Sequence, residues 1–106
     1  MMGEARWRYL IVWEFRPRPG LDDRFEEVYG PEGVWAKLFQ RAEGFLGTAL
    51  VRDENERGRF LTMDAWESKQ AYQAFRDAYQ SEYQALDAEC EGLTESEKEI
   101  GKFERV

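Results

Sequence analysis

The chain has 106 residues and a net charge of −7, and 15% of its residues are aromatic, which suits one domain, residues 1–106, with a single core. The acidic balance argues against a nucleic-acid partner, because phosphate binding requires a basic surface. The absence of His removes the commonest general base at neutral pH, the usual axial haem ligand and the commonest zinc ligand, so acid–base chemistry would have to come from carboxylates, Tyr or Lys.

The first predicted strand, residues 7–16, is apolar on both faces. Its alternate positions form two sets, Tyr9, Ile11, Trp13 and Phe15 on one face and Leu10 and Val12 on the other. A strand of this kind needs cover on both faces. Helices from a domain this small can cover one side of a sheet, so the sequence predicts that a ligand or a second subunit covers the other side.

Two helical segments follow the turn that the sequence PRPG predicts. Residues 21–29 have apolar side chains at helical spacing and two Asp in the first turn, where the helix dipole favours negative charge. After a break at residues 30–33, a second segment has five apolar side chains on one side: Val34, Trp35, Leu38, Phe39 and Ala42. We interpret both segments as one helix layer, and the break is either a kink or the rim of a pocket that Trp35 and Phe39 cap.

A hairpin is predicted next. Its first strand, residues 45–53, contains Gly47, which either bulges the strand or leaves room for a group packed against it. A polar loop that ends in Gly leads into the second strand, residues 60–66. Alternation in this second strand places three side chains on one face: Thr62, Asp64 and Trp66.

A capped helix follows the second hairpin strand directly. From Ser68 the apolar spacing changes to three and four residues, and the Ser68 hydroxyl suits an N-cap, since it can accept a hydrogen bond from a free amide of the first turn. We expect this helix to run to about Glu91, just before Gly92. Residues 93–97 then connect it to a last strand at residues 100–106.

The order strand, helix, strand, strand, helix, strand predicts an α+β, ferredoxin-like βαββαβ fold, in which a four-stranded antiparallel sheet has its helices on one face. The uncovered face would carry one of the two apolar sets of the first strand. Either set is too apolar to leave in water. Two such sheets that face each other in a homodimer would cover it.

Four segments resemble the antibiotic biosynthesis monooxygenase-like family of dimeric α/β barrel proteins. They are FRPRPG after the first strand, GPEGVWAKLFQRAEGFLGT, the junction DAWESKQAYQAF and the final EKEIGKFE, and the likeness covers residues 9–106. The resemblance implies a sheet-to-sheet homodimer that forms a dimeric α/β barrel. It also implies either oxygenation of an aromatic polyketide or quinol without metal or flavin, or haem degradation. In the cofactor-free enzymes the substrate is deprotonated and passes an electron to oxygen.

The sequence departs from the family pattern in two ways that bear on activity. The haem-degrading branch uses a His ligand, and this chain has no His, so haem degradation is not expected. Active cofactor-free members carry a pocket Asn, whereas Asn55, the only Asn here, belongs to the hairpin loop. Two hypotheses stay open: a cofactor-free monooxygenase for a small aromatic or quinol-type substrate, and a non-catalytic dimer that binds a small molecule or acts in a stress response.

Three residues are the candidates for catalysis under the first hypothesis, with a substrate pocket between helices and sheet: Trp66, Asp64 and Tyr72. By the resemblance, Trp66 matches the family's Trp at the strand end, and Tyr72 lies where some members carry a pocket Tyr; the alternative for both is packing. Asp64 would lie between the two sheets of a dimer if its face points away from the helices. Burial would then raise its pKa and suit it to accept a phenolic proton. Otherwise it pairs with an Arg or faces solvent.

The remaining sequence features argue against a membrane span, export, an internal disulfide and a bound metal. No apolar run approaches the roughly 18–20 residues that span a bilayer, and no signal peptide is visible, so neither a membrane nor export is expected. A single cysteine, Cys90, leaves no internal disulfide, fits the cytoplasm and is expected to be a small buried side chain. No cluster of Asp, Glu and Cys has distinctive metal-ligand spacing, so we expect no metal and no cofactor.

Overall fold

The computed structural model describes residues 7–106. In chain order its elements are β1 (Tyr9–Pro17), α1 (Asp22–Tyr29), α2 (Val34–Phe39), β2 (Phe45–Arg52), β3 (Phe60–Trp66), α3 (Lys69–Ala78), α4 (Gln80–Cys90), a 3-10 turn (Glu91–Leu93) and β4 (Thr94–Glu104). None of the helices in this part of the chain has the length and apolar content needed to span a bilayer. The predicted break between α1 and α2 is confirmed.

The four strands form one antiparallel sheet in the order β2-β3-β1-β4. This order and the two helical connections confirm the ferredoxin-like βαββαβ fold. The central pair aligns Ile11 of β1 with Asp64 of β3. In the β2–β3 hairpin, Thr48 lies opposite Asp64, and a register shift between Phe45 and Gly47 shows that the glycine does bulge the strand.

The core lies between the sheet and the helices and is largely aromatic. The largest fully buried side chains are Phe25 of α1, Phe60 and Trp66 of β3, and Phe75 of α3. Each contributes roughly 2–3 kcal/mol of hydrophobic free energy when it leaves water. Because Phe60 and Trp66 face the helices, the alternate positions of β3 between them, including Asp64, face the helices too.

The opposite sheet face is apolar and has no cover within the described residues. Strand registers place six apolar side chains there: Leu10, Val12, Val51, Leu61, Met63 and Phe103. Val51 and Phe103 are 42% and 46% exposed. Of the two sets considered from the sequence, the Leu10 set is therefore on the open face, and the Tyr9 set packs against the helices.

The predicted single helix over residues 68–91 is wrong in one respect, because it is two helices that meet at Tyr79. Tyr79 has a φ of −120° and a ψ of 28°, outside the helical region. Its hydroxyl donates a 3.2 Å hydrogen bond to the carbonyl of Arg41, and its ring stacks on Phe75. We attribute the break to this anchoring, because neither Pro nor Gly lies nearby.

The last strand begins earlier than predicted, at Thr94 and not at residue 100. It pairs with β1 along its whole length: Thr94 lies opposite Pro17 at one end, and Glu104 lies opposite Tyr9 at the other. Its first half has no apolar alternation because β4 is an edge strand with almost every side chain exposed. Periodicity therefore gave no signal for that half.

The junction between β3 and α3 is built as the sequence predicts. The Ser68 hydroxyl accepts a 3.0 Å hydrogen bond from the Ala71 amide, which confirms the N-cap. The carbonyl of Gly44 accepts a 2.8 Å hydrogen bond from the Glu67 amide. Gly44 has a φ of +88°, and a Cβ there would lie 2.6 Å from the Cβ of Ala71. Only glycine fits at this contact.

Candidate functional site

A hollow opens between the sheet and the helices. We call this cavity the hollow throughout. The residues that line it are Trp13, Phe15, Tyr29, Trp35, Phe39, Thr48, Thr62, Asp64, Tyr83, Asp87 and Glu97. It contains about 480 Å³ of space free of atoms when its open mouth is included.

Asp64 is the least exposed of the three carboxylates that line the hollow. It is partly buried, and its Oδ1 accepts a 2.7 Å hydrogen bond from the Thr48 hydroxyl. Burial raises the pKa of Asp64 to about 6, and the bond from Thr48 lowers it by a smaller amount. Within residues 7–106 the second oxygen, Oδ2, accepts no hydrogen bond, and no ion pair engages the carboxylate.

The placement of Asp64 corrects one expectation. The sequence allowed the carboxylate to lie between two sheets of a dimer, on condition that its face pointed away from the helices. Its face points toward the helices instead, because Trp66 and Phe60 on the same face belong to the helix-side core. The expected pocket between helices and sheet is nevertheless the one that contains Asp64.

Trp66 lies behind the wall of the hollow and is fully buried, with 0% exposure. Its ring centroid is 5.9 Å from that of Phe39, which does line the hollow, and 5.3 Å from that of Phe75. The indole Nε1 has no hydrogen-bond partner in the described chain. Trp66 shares a strand face with Asp64 but is not itself among the lining residues.

Tyr72 contacts Trp66, with ring centroids 5.4 Å apart, and is not a lining residue of the hollow. Its hydroxyl accepts a 2.9 Å hydrogen bond from Nη1 of Arg76. Tyr72 also packs on Tyr9 of β1, at 6.0 Å between centroids. The structure therefore joins Trp66 and Tyr72 in one aromatic cluster and leaves Asp64 apart from it, in the hollow.

Sequence reasoning missed several lining residues. Trp13, Phe15, Thr48 and Tyr83 were not singled out, yet all four line the hollow. Burial raises the pKa of Tyr83 to about 12, and the guanidinium of Arg76 lies 3.9 Å from the centroid of its ring. One signal was available for Thr48, because counting the hairpin register back from its loop pairs this residue with Asp64.

Trp35 and Phe39, expected to cap a pocket, are both buried lining residues. The Trp35 indole N–H faces the Tyr29 hydroxyl and the Cys90 thiol, but it forms no hydrogen bond of standard geometry with either. Burial raises the pKa of Tyr29 and of Cys90. Cys90 is 6% exposed, which confirms it as a buried side chain.

The chemistry available in the inner part of the hollow is that of the Asp64 carboxylate among aromatic rings, with Asp87 and Glu97 exposed at the mouth. A carboxylate with a pKa near 6 is ionised at neutral pH and accepts a proton more readily than an ordinary Asp. Within residues 7–106, no group of three His, Cys, Asp or Glu side chains is arranged to hold a metal ion. The aromatic walls suit a flat apolar molecule whose polar group meets Asp64.

Comparison with solved structures shows the same fold at low sequence identity. A proposed antibiotic biosynthesis monooxygenase of Deinococcus radiodurans superposes with a TM-score of 0.69 and 18% identity, over 92% of each chain. A second from Bordetella bronchiseptica gives 0.65 and 24%, over 94% of this chain and 98% of that one. SnoaB, a cofactor-independent oxygenase of Streptomyces nogalater, gives 0.61 and 17%, over 94% of each chain.

The sequence itself was compared with family models and with curated proteins. No curated protein matches it. The model of the antibiotic biosynthesis monooxygenase family matches residues 8–86, which include β1 to β3, α3 and the carboxylate in the hollow. The chain belongs to the antibiotic biosynthesis monooxygenase family.

Proposed function

We propose that the chain is a cofactor-free monooxygenase that oxidises a small aromatic or quinol-type substrate in the hollow. The observation that carries this proposal is Asp64, an unpaired carboxylate among aromatic walls whose pKa burial raises to about 6. Membership of the family supports it, as does the shared fold with a cofactor-independent oxygenase.

In the proposed reaction, Asp64 accepts a proton from the phenolic or activated C–H group of the substrate. The resulting anion transfers one electron to O₂, and the substrate radical and superoxide combine in a C–O bond. Asp64 returns its proton to the peroxide, and cleavage of the O–O bond leaves a carbonyl and one water. The two electrons that reduce the second oxygen atom to water come from the substrate, so no external reductant enters.

Trp66 and Tyr72 have a positioning role in this proposal. Trp66 packs on Phe39, so its bulk holds one wall of the hollow in place. Tyr72 packs on Trp66 and is itself held by Arg76. Neither lines the hollow, so their effect on turnover would pass through neighbours that do: Phe39, which Trp66 contacts, and Tyr83, on whose ring the Arg76 guanidinium lies.

The proposed assembly is a homodimer in which the open faces of two sheets meet. The support is the apolar face that carries Leu10, Met63 and Phe103, which no element of the described chain covers. The cytoplasm is the proposed location, because a free buried thiol such as Cys90 suits a reducing compartment.

A specific observation favours a second candidate, a non-catalytic dimer that binds a small aromatic molecule. The active members to which the sequence was likened carry a pocket Asn, and Asn55 lies in the β2–β3 loop, where its backbone N–H donates a hydrogen bond to Oδ1 of Asp53. Thr48 and Thr62 provide the uncharged polar groups of the hollow instead. This candidate predicts binding without turnover.

Oxygen consumption separates the two candidates. Wild-type protein would be measured with a panel of dihydroxynaphthalenes and anthrones, beside Asp64→Asn and the matched control Asp77→Asn, which alters an exposed carboxylate of α3. The monooxygenase proposal predicts uptake by the wild type and by the control, and a loss of about 100-fold or more in Asp64→Asn. Binding without uptake by any compound would support the second candidate.

A further inference from the structure

The hollow is long, and its carboxylates are divided between its two ends. Asp64 lies opposite Ile11, and Glu97 lies opposite Phe15, on the two strands that flank β1. Two strand spacings across and four residues along put their Cα atoms about 16 Å apart. Asp64 is partly buried, whereas Glu97 and Asp87 are exposed at the mouth.

The two carboxylates at the mouth, Glu97 and Asp87, are close enough for their negative charges to repel each other. Partial desolvation raises the pKa of Glu97, and the charges of Asp87 and Glu91 raise it further. The charge of Arg76 interacts with that of Asp87, and no Arg or Lys is among the lining residues. Negative charge at the mouth is therefore only partly balanced by the part of the chain that the structure describes.

Aromatic rings occupy the length between the two ends. None of the eleven lining residues is basic. Six of them are aromatic: Trp13, Phe15, Tyr29, Trp35, Phe39 and Tyr83. Ring faces attract cations as well as apolar groups, and they do so most where carboxylates stand nearby. An anionic ligand would gain nothing here and would meet carboxylates at both ends.

We infer that the ligand of the hollow is a hydroxyaryl-alkylamine, with its cationic amine at the mouth between Glu97 and Asp87 and its aromatic hydroxyl at Asp64. The spacing of the two ends suits a ring with a short alkylamine chain. The hydroxyl end rests on the proposed function, whereas the amine end rests only on the charges and rings of the hollow. Charge at the mouth would also attract the cation before it binds.

Binding of three phenols that differ only at the chain end tests the inference. The probes are 2-(4-hydroxyphenyl)ethylamine, the corresponding alcohol 2-(4-hydroxyphenyl)ethanol, and 3-(4-hydroxyphenyl)propionate, titrated at low ionic strength and followed by NMR line shifts. We expect the amine to bind about tenfold more tightly than the alcohol, and the propionate to bind most weakly. Salt should reduce the difference, because the mouth is exposed.

Matched variants test whether Glu97 and Asp87 cause the preference for the amine. Glu97→Gln and Asp87→Asn should each reduce the ratio of amine affinity to alcohol affinity by about two- to fivefold. Glu95→Gln removes the same charge from the neighbouring, exposed part of β4 and should leave the preference unchanged. Equal binding of amine and alcohol, tighter binding of the propionate, or no binding of any probe would overturn the inference.

The outcome is separable from that of the proposed function. An amine preference without oxygen uptake would keep the ligand class and remove the monooxygenase. Oxygen uptake with uncharged phenols and no preference for the amine would keep the monooxygenase proposal and remove the proposed ligand class.

Discussion

The hydroxyl of Thr48 donates a 2.7 Å hydrogen bond to the carboxylate of Asp64 across the β2–β3 hairpin. It is the one bond to this carboxylate from the described residues, and it favours the ionised form, against the effect of burial. A carboxylate held in one orientation, with its second oxygen free, is suited to accept a proton from a bound molecule.

Replacing Thr48 by Val should raise the pKa of Asp64 further above 6. Val has nearly the same shape, so the change removes the hydrogen bond and leaves desolvation as the dominant influence. We expect an upward shift of about one pH unit, measured from the ¹³C carboxyl resonance during a pH titration. Thr62→Val, a second threonine of the hollow that has no bond to Asp64, is the control. An unchanged pKa in Thr48→Val would mean that the hydrogen bond has no effect.

Asp64→Asn should stabilise the fold at pH 8. The folded pKa of about 6 lies above the unfolded value of about 3.9, so folding binds a proton between these pH values. The free energy of unfolding of the wild type therefore falls as the pH rises through this window and stays lower above it. We expect a gain of about 2 kcal/mol in the variant at pH 8 and little gain at pH 4, from urea unfolding. Equal stability of both proteins at pH 8 would count against a perturbed Asp64.

Trp66→Phe should reduce stability more than turnover. The side chain is fully buried and its Nε1 makes no hydrogen bond in the described chain, so the smaller ring loses packing but leaves no polar group unpaired. We expect a loss of about 1–2 kcal/mol and a change in turnover of less than about threefold. Trp13→Phe, in the lining itself, should instead weaken substrate affinity. A folded Trp66→Phe protein without turnover would show that the indole takes a direct part.

Met63→Glu should prevent dimer formation. Met63 lies on the open sheet face opposite Val12, and a charge there would be buried if two such faces met. We expect a dimer mass for the wild type at micromolar concentration and a monomer mass for the variant, by analytical ultracentrifugation. Gln73→Glu adds the same charge on the exposed side of α3 and should remain dimeric. A monomeric wild type would remove the proposed assembly.

The order of elements could be predicted from the sequence because alternation and caps act locally. The Ser68 cap and the bulge at Gly47 are examples, and both rest on the chemistry of one residue. The start of β4 could not be predicted, since an exposed edge strand has no apolar side to reveal it. The break at Tyr79 could not either, because it depends on a carbonyl of Arg41 that is distant in sequence.

The site was only partly predictable for a related reason. Asp64 was identified as a candidate, but β1 and β3 are apolar on both faces, so periodicity did not decide which face meets the helices. Polar residues usually face solvent, but Thr62 and Asp64 lie on the helix side of the sheet. They are accommodated there because they line the hollow. The mouth residues Asp87 of α4 and Glu97 of β4 line one hollow only because of the tertiary fold, which no local pattern contains.

The most direct measurement is the pH dependence of kcat/KM for oxygen uptake, with wild type and Asp64→Asn compared on the same substrate. If Asp64 accepts the substrate proton, the wild-type rate should rise with pH to a plateau with an apparent pKa near 6, because only the ionised carboxylate is a base. The variant should be slower by about 100-fold or more and should lose that inflection. A variant that keeps the wild-type rate and pH profile would contradict the account.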